Sequence, residues 1–215
     1  MIAALYVQTG GAYFFRHGVD PWDETRDART YPGPFPVVAH PPCERWGRFW
    51  SSDGSTTPGQ DGGLFAAALQ AVRIWGGVLE HPQGSHAWRV FDLPPAVHGA
   101  WSRGIIDGGW STCVSQANYG HRATKLTWLY YHGRNAPPSL DWSDPGPPQA
   151  YLAQPGRCSR AKPRRTCPCD RCRDLYGDDW LGAANVGAER MGPDENAATP
   201  PAFVDLLLAI ARGSR

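Results

Sequence analysis

The chain of 215 residues is 41% hydrophobic and 19% charged, with 10 Trp, which fits one mid-sized domain with a real core and excludes a wholly disordered chain. Its 25 Gly and 21 Pro exclude a coiled coil or a plain helix bundle, because so many turn residues leave little room for long helices. The net charge of +1 excludes a general attraction to nucleic acid, so any such binding needs a local patch.

Residues 2–7 are apolar and run into Thr9-Gly10-Gly11, the pattern of a buried strand entering a glycine turn. Residues 35–39 form a second apolar run, stopped by His40-Pro41-Pro42-Cys43; prolines do not continue a central strand, so Cys43 is expected just beyond the strand's end. Residues 51–63 are polar and Gly-rich and read as a surface loop. Apolar residues at Leu64, Ala68, Ala71, Val72 and Trp75 have helical spacing, and Gly76-Gly77 closes that helix. Val78-Leu79-Glu80 starts another short strand, cut off by Pro82. Residues 109–114 and 126–131 predict a strand pair, 134–156 read as a linker, and Pro200-Pro201-Ala202 opens a helix over 203–211. Strands alternating with helices, and chemically active residues at strand ends, predict an open α/β sheet with a site along one edge.

No stretch reaches the roughly 20 apolar residues that cross a membrane. The N-terminal apolar run has no basic residues ahead of it, so it does not read as a signal peptide, and the expected location is cytoplasmic. Four of the six cysteines lie at Cys158, Cys167, Cys169 and Cys172, a C-x8-C-x-C-x2-C spacing. In a reducing compartment that crowding predicts one tetrahedral, structural Zn²⁺ rather than disulfides. Seven basic residues, Arg164 and Arg165 among them, surround the cysteines with Asp170 as the one acid, a basic knob suited to phosphate contact.

Cys43 follows a strand, sits in a stiff two-proline turn and is flanked by Arg45 and Arg48, which are expected to favour its thiolate. Glu80 ends an apolar strand, where a carboxylate must be paired or open to a cleft. Four segments taken in order, VVAHPPCERWGRF, GGVLEHP, SQANYGHRATKLTWLYYHG and ENAATPPAFVDLLLAI, resemble the DNA cytosine 5-methyltransferases, especially their small phage versions. They are similar to the Pro-Cys nucleophile loop, the strand bearing the catalytic Glu, the later Asn/Asp-Tyr-Gly motif, and the Asn- and Pro-rich turn before the closing helix. The resemblance implies an α/β fold, an open Rossmann-like methyltransferase sheet with helices on both faces, plus a small Cys-rich zinc-binding insertion. It implies residues 1–133 and 192–215 as the catalytic domain and 134–191 as a small recognition-type insertion.

By that resemblance Cys43 is the nucleophile, Glu80 holds ring nitrogen 3, and Lys125 assists at the exocyclic oxygen of a base flipped out of DNA. S-adenosylmethionine is the implied methyl donor, with Tyr6, Gly10, Gly11, Asp20, Asp27 and Asn196 as its contacts, and Asp23 as an alternative to Asp20 for the ribose. The chain also departs from the family. Gln8 replaces the first glycine of Phe-x-Gly-x-Gly, and His81 replaces the Asn after the catalytic Glu. The positions of Gln-x-Arg-x-Arg read Ala123, Lys125 and Thr127. Two other readings stand beside the methyltransferase: a related pyrimidine-modifying or base-excising enzyme without methyl transfer, and a non-catalytic zinc-containing nucleic-acid-binding protein.

Overall fold

The structure is a computed structural model and describes residues 1–47, 59–151, 189–192, 195 and 197–215. The four cysteines from Cys158 to Cys172, the basic knob, Arg48 and Asn196 lie outside the described residues. The chain divides into two compact units, one of Met1–His121, Lys125–Pro145 and Thr199–Arg215, the other of Arg122–Thr124 and Gly146–Ala198.

The first unit is α/β. Its strands are β1 (Ile2–Leu5), β2 (Val19–Trp22), β3 (Val37–Ala39), β4 (Gly77–Pro82), β5 (Ser102–Arg103), β6 (Trp110–Ser115) and β7 (Leu126–His132). They form one mixed sheet in the order β2-β1-β3-β4-β7-β6-β5. The β2-β1-β3-β4 half is parallel, and β7 then runs antiparallel to both β4 and β6. The expected strand pair is therefore present as β6 and β7. Strand β2 is not legible in the local sequence, because Asp20 and Pro21 disfavour a strand. Its place at the sheet edge tolerates a missing backbone donor. β4 ends at Pro82 as expected, with Pro82 itself paired to Thr127 as the last residue of the strand, and Gln83 N–H takes up the Leu126 carbonyl at 3.1 Å.

Helix α1 (Leu64–Trp75) buries Phe65, Ala68, Leu69, Ala71 and Val72. They share a core with Ala3, Leu5, Val37, Ala39, Leu79 and Tyr130. The intervening residues Ile2, Ala4, Val38, Val78, Leu129 and Tyr131 share a second core with Phe203, Val204, Leu207, Leu208 and Ile210 of the C-terminal helix (Pro201–Arg212). This division follows from the two-residue side-chain period of a strand, and it explains why β1, β3 and β4 are apolar without alternation. Burial of each large side chain contributes about 1.5–3 kcal/mol. A four-residue helical turn, α2 (Ala87–Val90), lies between β4 and β5, and with it the C-terminal helix becomes α3.

One glycine is decisive for the sheet. Gly77 has φ +128°, and a Cβ there would lie 1.9 Å from the Val37 carbonyl oxygen, so only glycine lets β3 and β4 begin their pairing. Residues 134–145, read above as linker, belong to the first unit. Leu140 is in the second core, and the Tyr131 hydroxyl donates to the Asn135 carbonyl at 3.0 Å.

In the second unit, β8 (Ala150–Tyr151) and β9 (Glu189–Arg190) pair in parallel. Ala123, Ala150 and Met191 form a small buried cluster, and the Arg122 carbonyl accepts from the N–H groups of Gln149 and Ala150. Arg122 and Glu195 make a partly exposed ion pair at 2.9 Å.

Candidate active site

The ends of β1, β3, β4 and β6 and the start of β7 meet at one edge of the sheet, since β7 runs against β4. The turn after β3 carries Cys43. Its carbonyl accepts from Trp46 N–H at 3.0 Å and Gly47 N–H at 2.7 Å, which closes the turn. Trp46 anchors it: the indole is buried against Phe65 and Phe91, and its Nε1–H donates to Asp61 at 2.8 Å. Asp61 also accepts from the N–H groups of Gly63 and Phe65 at the start of α1. The turn that carries Cys43 is thus tied to the first turn of the helix, while Cys43 itself keeps an exposed surface.

Glu80 is largely buried on β4. The β3–β4 register sets Ala39 opposite Leu79, so the next residues, His40 and Glu80, meet, and His40 Nδ1 lies 3.0 Å from Glu80 Oε2. On the other side of the ring, His40 Nε2 is 2.7 Å from the hydroxyl of Tyr13, a buried residue of the loop after β1. Gln116, following β6, donates its amide N–H to Thr127 Oγ1 at 2.9 Å and approaches Glu80 Oε1 at 3.5 Å. Lys125 sits immediately before β7 and is half-buried.

These groups act on one another electrically. Burial alone raises the Glu80 pKa, but the His40 hydrogen bond and the charges of His40 and Lys125 outweigh it and hold the carboxyl below its ordinary value. Burial lowers the Lys125 pKa, against the opposing pull of Glu80 and Cys43. Although Cys43 keeps an exposed surface, the protein around its sulfur desolvates the thiol and pushes its pKa up, Glu80 adds to this, and Lys125 opposes it. The charges acting on the sulfur are Glu80, Glu44 and Lys125 rather than Arg45, and Arg48, the other arginine of the flank, lies outside the described residues.

The structure thus brings Cys43, Glu80 and Lys125 into one electrostatically coupled cluster. His40, Tyr13 and Gln116 were missed in the sequence. His40 had a signal, its place directly before Pro-Pro-Cys at a strand end, whereas Tyr13 reaches the site only through the loop path. His81, in the position of the family's Asn, points into the core, edge-on to Phe65 at 5.3 Å, and burial pushes its pKa down to about 4.

The residues implied for S-adenosylmethionine have other partners. Asp20 accepts from Trp22 Nε1–H at 2.8 Å and Arg26 at 2.6 Å, and Asp27 accepts from Arg29 at 2.8 Å. Asp23, buried just after β2, accepts from the hydroxyls of Thr9 and Thr25, both at 2.7 Å. Tyr6, at φ +60°, donates its hydroxyl to the Leu64 carbonyl at 3.1 Å. No helix follows Gly10-Gly11; the chain turns back at once, with Gly11 N–H bonded to the Gln8 carbonyl at 2.9 Å. The three carboxylates implied for the cofactor are thus each committed to partners within the chain, and they do not fit S-adenosylmethionine as the methyltransferases that the sequence resembles bind it.

Among the described residues no group of His, Cys, Asp or Glu is placed to hold a metal ion, and no helix is long and apolar enough to cross a membrane. No family model matches the sequence, and no curated protein matches it.

Proposed function

We propose that this protein modifies pyrimidine bases of DNA through a cysteine adduct, on the plan of the cytosine 5-methyltransferases. The observation that carries the reading is the coupling of Cys43, Glu80 and Lys125 at one sheet edge, delivered by three separate elements. A Cys43 thiolate adds to ring carbon 6, the displaced electron pair settles at nitrogen 3, and Glu80 meets it there. Lys125 faces the charge on the exocyclic oxygen. Protonation of Glu80 would remove the negative charge that raises the thiol pKa, so engagement of the base favours the thiolate. The adduct leaves carbon 5 as a nucleophile.

In this reading the sheet is Rossmann-like with a helix on each face, and residues 146–198 are a small recognition unit. The four cysteines from Cys158 to Cys172 hold a structural Zn²⁺ that stiffens the basic knob against phosphates. The protein works in the cytoplasm. S-adenosylmethionine is the electrophile that the resemblance implies. The commitments of Asp20, Asp23 and Asp27 favour a second reading, a pyrimidine-modifying enzyme without methyl transfer.

The test is exchange of the carbon 5 hydrogen of cytosine with deuterium from solvent, which reports adduct formation without any methyl donor. Wild-type protein is expected to catalyse exchange in randomised oligodeoxynucleotides. Cys43→Ser is expected to abolish it while shifting stability by no more than about 0.5 kcal/mol, because the site is exposed. Exchange by the Cys43→Ser variant at the wild-type rate would sink the proposal.

A further inference from the structure

Resting on that reading, we infer that His40, held by Tyr13, is the positioning residue that supplies the proton Glu80 passes to ring nitrogen 3. Nitrogen 3 of cytosine carries no hydrogen, and an ionised carboxylate facing it would place lone pair against lone pair. Glu80 is held ionised in the resting protein, so a proton has to reach it as the base adds. His40 is a titratable side chain in direct hydrogen-bond contact with Glu80.

The ring is clamped at both nitrogens. Nδ1 faces Glu80 Oε2 at 3.0 Å and Nε2 faces the Tyr13 hydroxyl at 2.7 Å. Burial raises the Tyr13 pKa well above its ordinary value, so it stays a neutral phenol that can accept from Nε2–H. The other charged or titratable groups around the pair are Lys125, ahead of β7, His81, the next residue of β4, and Cys43, three residues beyond His40. His81 is neutral above about pH 4 and does not compete as a proton source.

The step balances. The Cys43 Sγ–C6 bond forms and the C5=C6 pair moves to C4–C5. The C4=N3 pair moves to nitrogen 3. Glu80 takes the proton from Nδ1 of the His40 imidazolium and passes it to nitrogen 3, which leaves Glu80 ionised again and His40 neutral, with Nε2–H donating to Tyr13. Uracil differs at this point only. Its nitrogen 3 already bears hydrogen and donates to the Glu80 carboxylate, and the displaced pair goes to the carbonyl oxygen on carbon 4, so no proton from His40 is required.

The experiment compares carbon 5 deuterium exchange in randomised oligodeoxynucleotides carrying cytosine with the same pool carrying uracil in its place. It uses the full-length wild type, His40→Asn and Tyr13→Phe between pH 5.5 and 8.5. Asn keeps a donor near the position of Nδ1 but cannot transfer a proton. His40→Asn is expected to slow cytosine exchange by roughly 10²-fold or more, the ordinary range for loss of a general acid, and to change uracil exchange by less than about 3-fold. Any pH dependence that cytosine exchange shows and uracil exchange lacks is expected to disappear in the variant. Tyr13→Phe is expected to act in the same direction more weakly. Equal slowing of both bases would overturn the relay and leave His40 a structural residue. A wild type that exchanges neither base would instead overturn the cysteine-adduct reading, and the relay with it.

Discussion

His40 and Glu80 face each other across adjacent parallel strands at 3.0 Å because the pairing of Ala39 with Leu79 continues one residue past the end of β3. The site's charge is therefore a consequence of strand register. A one-residue slip of β4 would turn Glu80 to the opposite face of the sheet and bring His81 to the edge. Gly77, which allows that register, and Glu80, which uses it, belong to the same short strand.

The Cys43 thiol is held above its ordinary pKa by burial and by Glu80, with Lys125 opposing. Glu80→Gln is accordingly expected to lower the thiol pKa and speed alkylation of Cys43 by iodoacetamide at pH 7.5. Lys125→Met is expected to slow it. Peptide-resolved mass spectrometry separates Cys43 from the other cysteines. A Glu80→Gln variant alkylated at the wild-type rate would show that the two groups are not coupled.

His81 is buried as a neutral ring, its pKa pushed down to about 4 from 6.5. The unfolded chain takes up a proton as pH falls through about 6.5, whereas the folded protein does not until about 4, so this contribution to stability is complete above that window and lost within it. Between pH 7 and pH 5 the loss from this group is about 2 kcal/mol. His81→Phe is expected to flatten the pH dependence of urea unfolding by that amount. Parallel profiles for the variant and wild type would refute the assignment.

Gly77→Ala drives a methyl group into the Val37 carbonyl, at a backbone φ of +128° that L-residues rarely adopt. Expected is a loss of at least about 3 kcal/mol, since backbone has to move on both β3 and β4. Chemical denaturation measures it. Gly10→Ala serves as the control, because a Cβ at Gly10 meets nothing within 4 Å and only its φ of +68° is strained.

Asp20, Asp23 and Asp27 are expected to leave S-adenosylmethionine without the contacts implied for them, because Trp22, Arg26, Arg29, Thr9 and Thr25 already use these carboxylates. Titration calorimetry with S-adenosylmethionine is therefore expected to show no saturable heat at micromolar ligand. Saturable binding weakened by Asp23→Asn would show instead that Asp23 exchanges its threonine partners for the ribose.

Local pattern was enough to place α1 at Leu64–Trp75, because helical spacing of five apolar residues and a closing glycine act over a few residues. The same holds for β6 and β7, and for Cys43 just beyond β3, where a pair of prolines ends a strand whatever surrounds it. Local pattern does not report which strands become neighbours, and that alone decides the site. β2 was hidden because Asp20 and Pro21 form a strand only with β1 beside them. Tyr13 reaches His40 from the loop after β1, and Gln116 reaches Glu80 from the end of β6, each more than 20 residues away in sequence, through sheet order rather than spacing. The charge state of Cys43 follows the same logic. The nearby arginine in sequence suggested a thiolate, while burial and Glu80, brought from another strand, raise the thiol instead. Electrostatic coupling depends on distance in space, and only the folded sheet sets that distance.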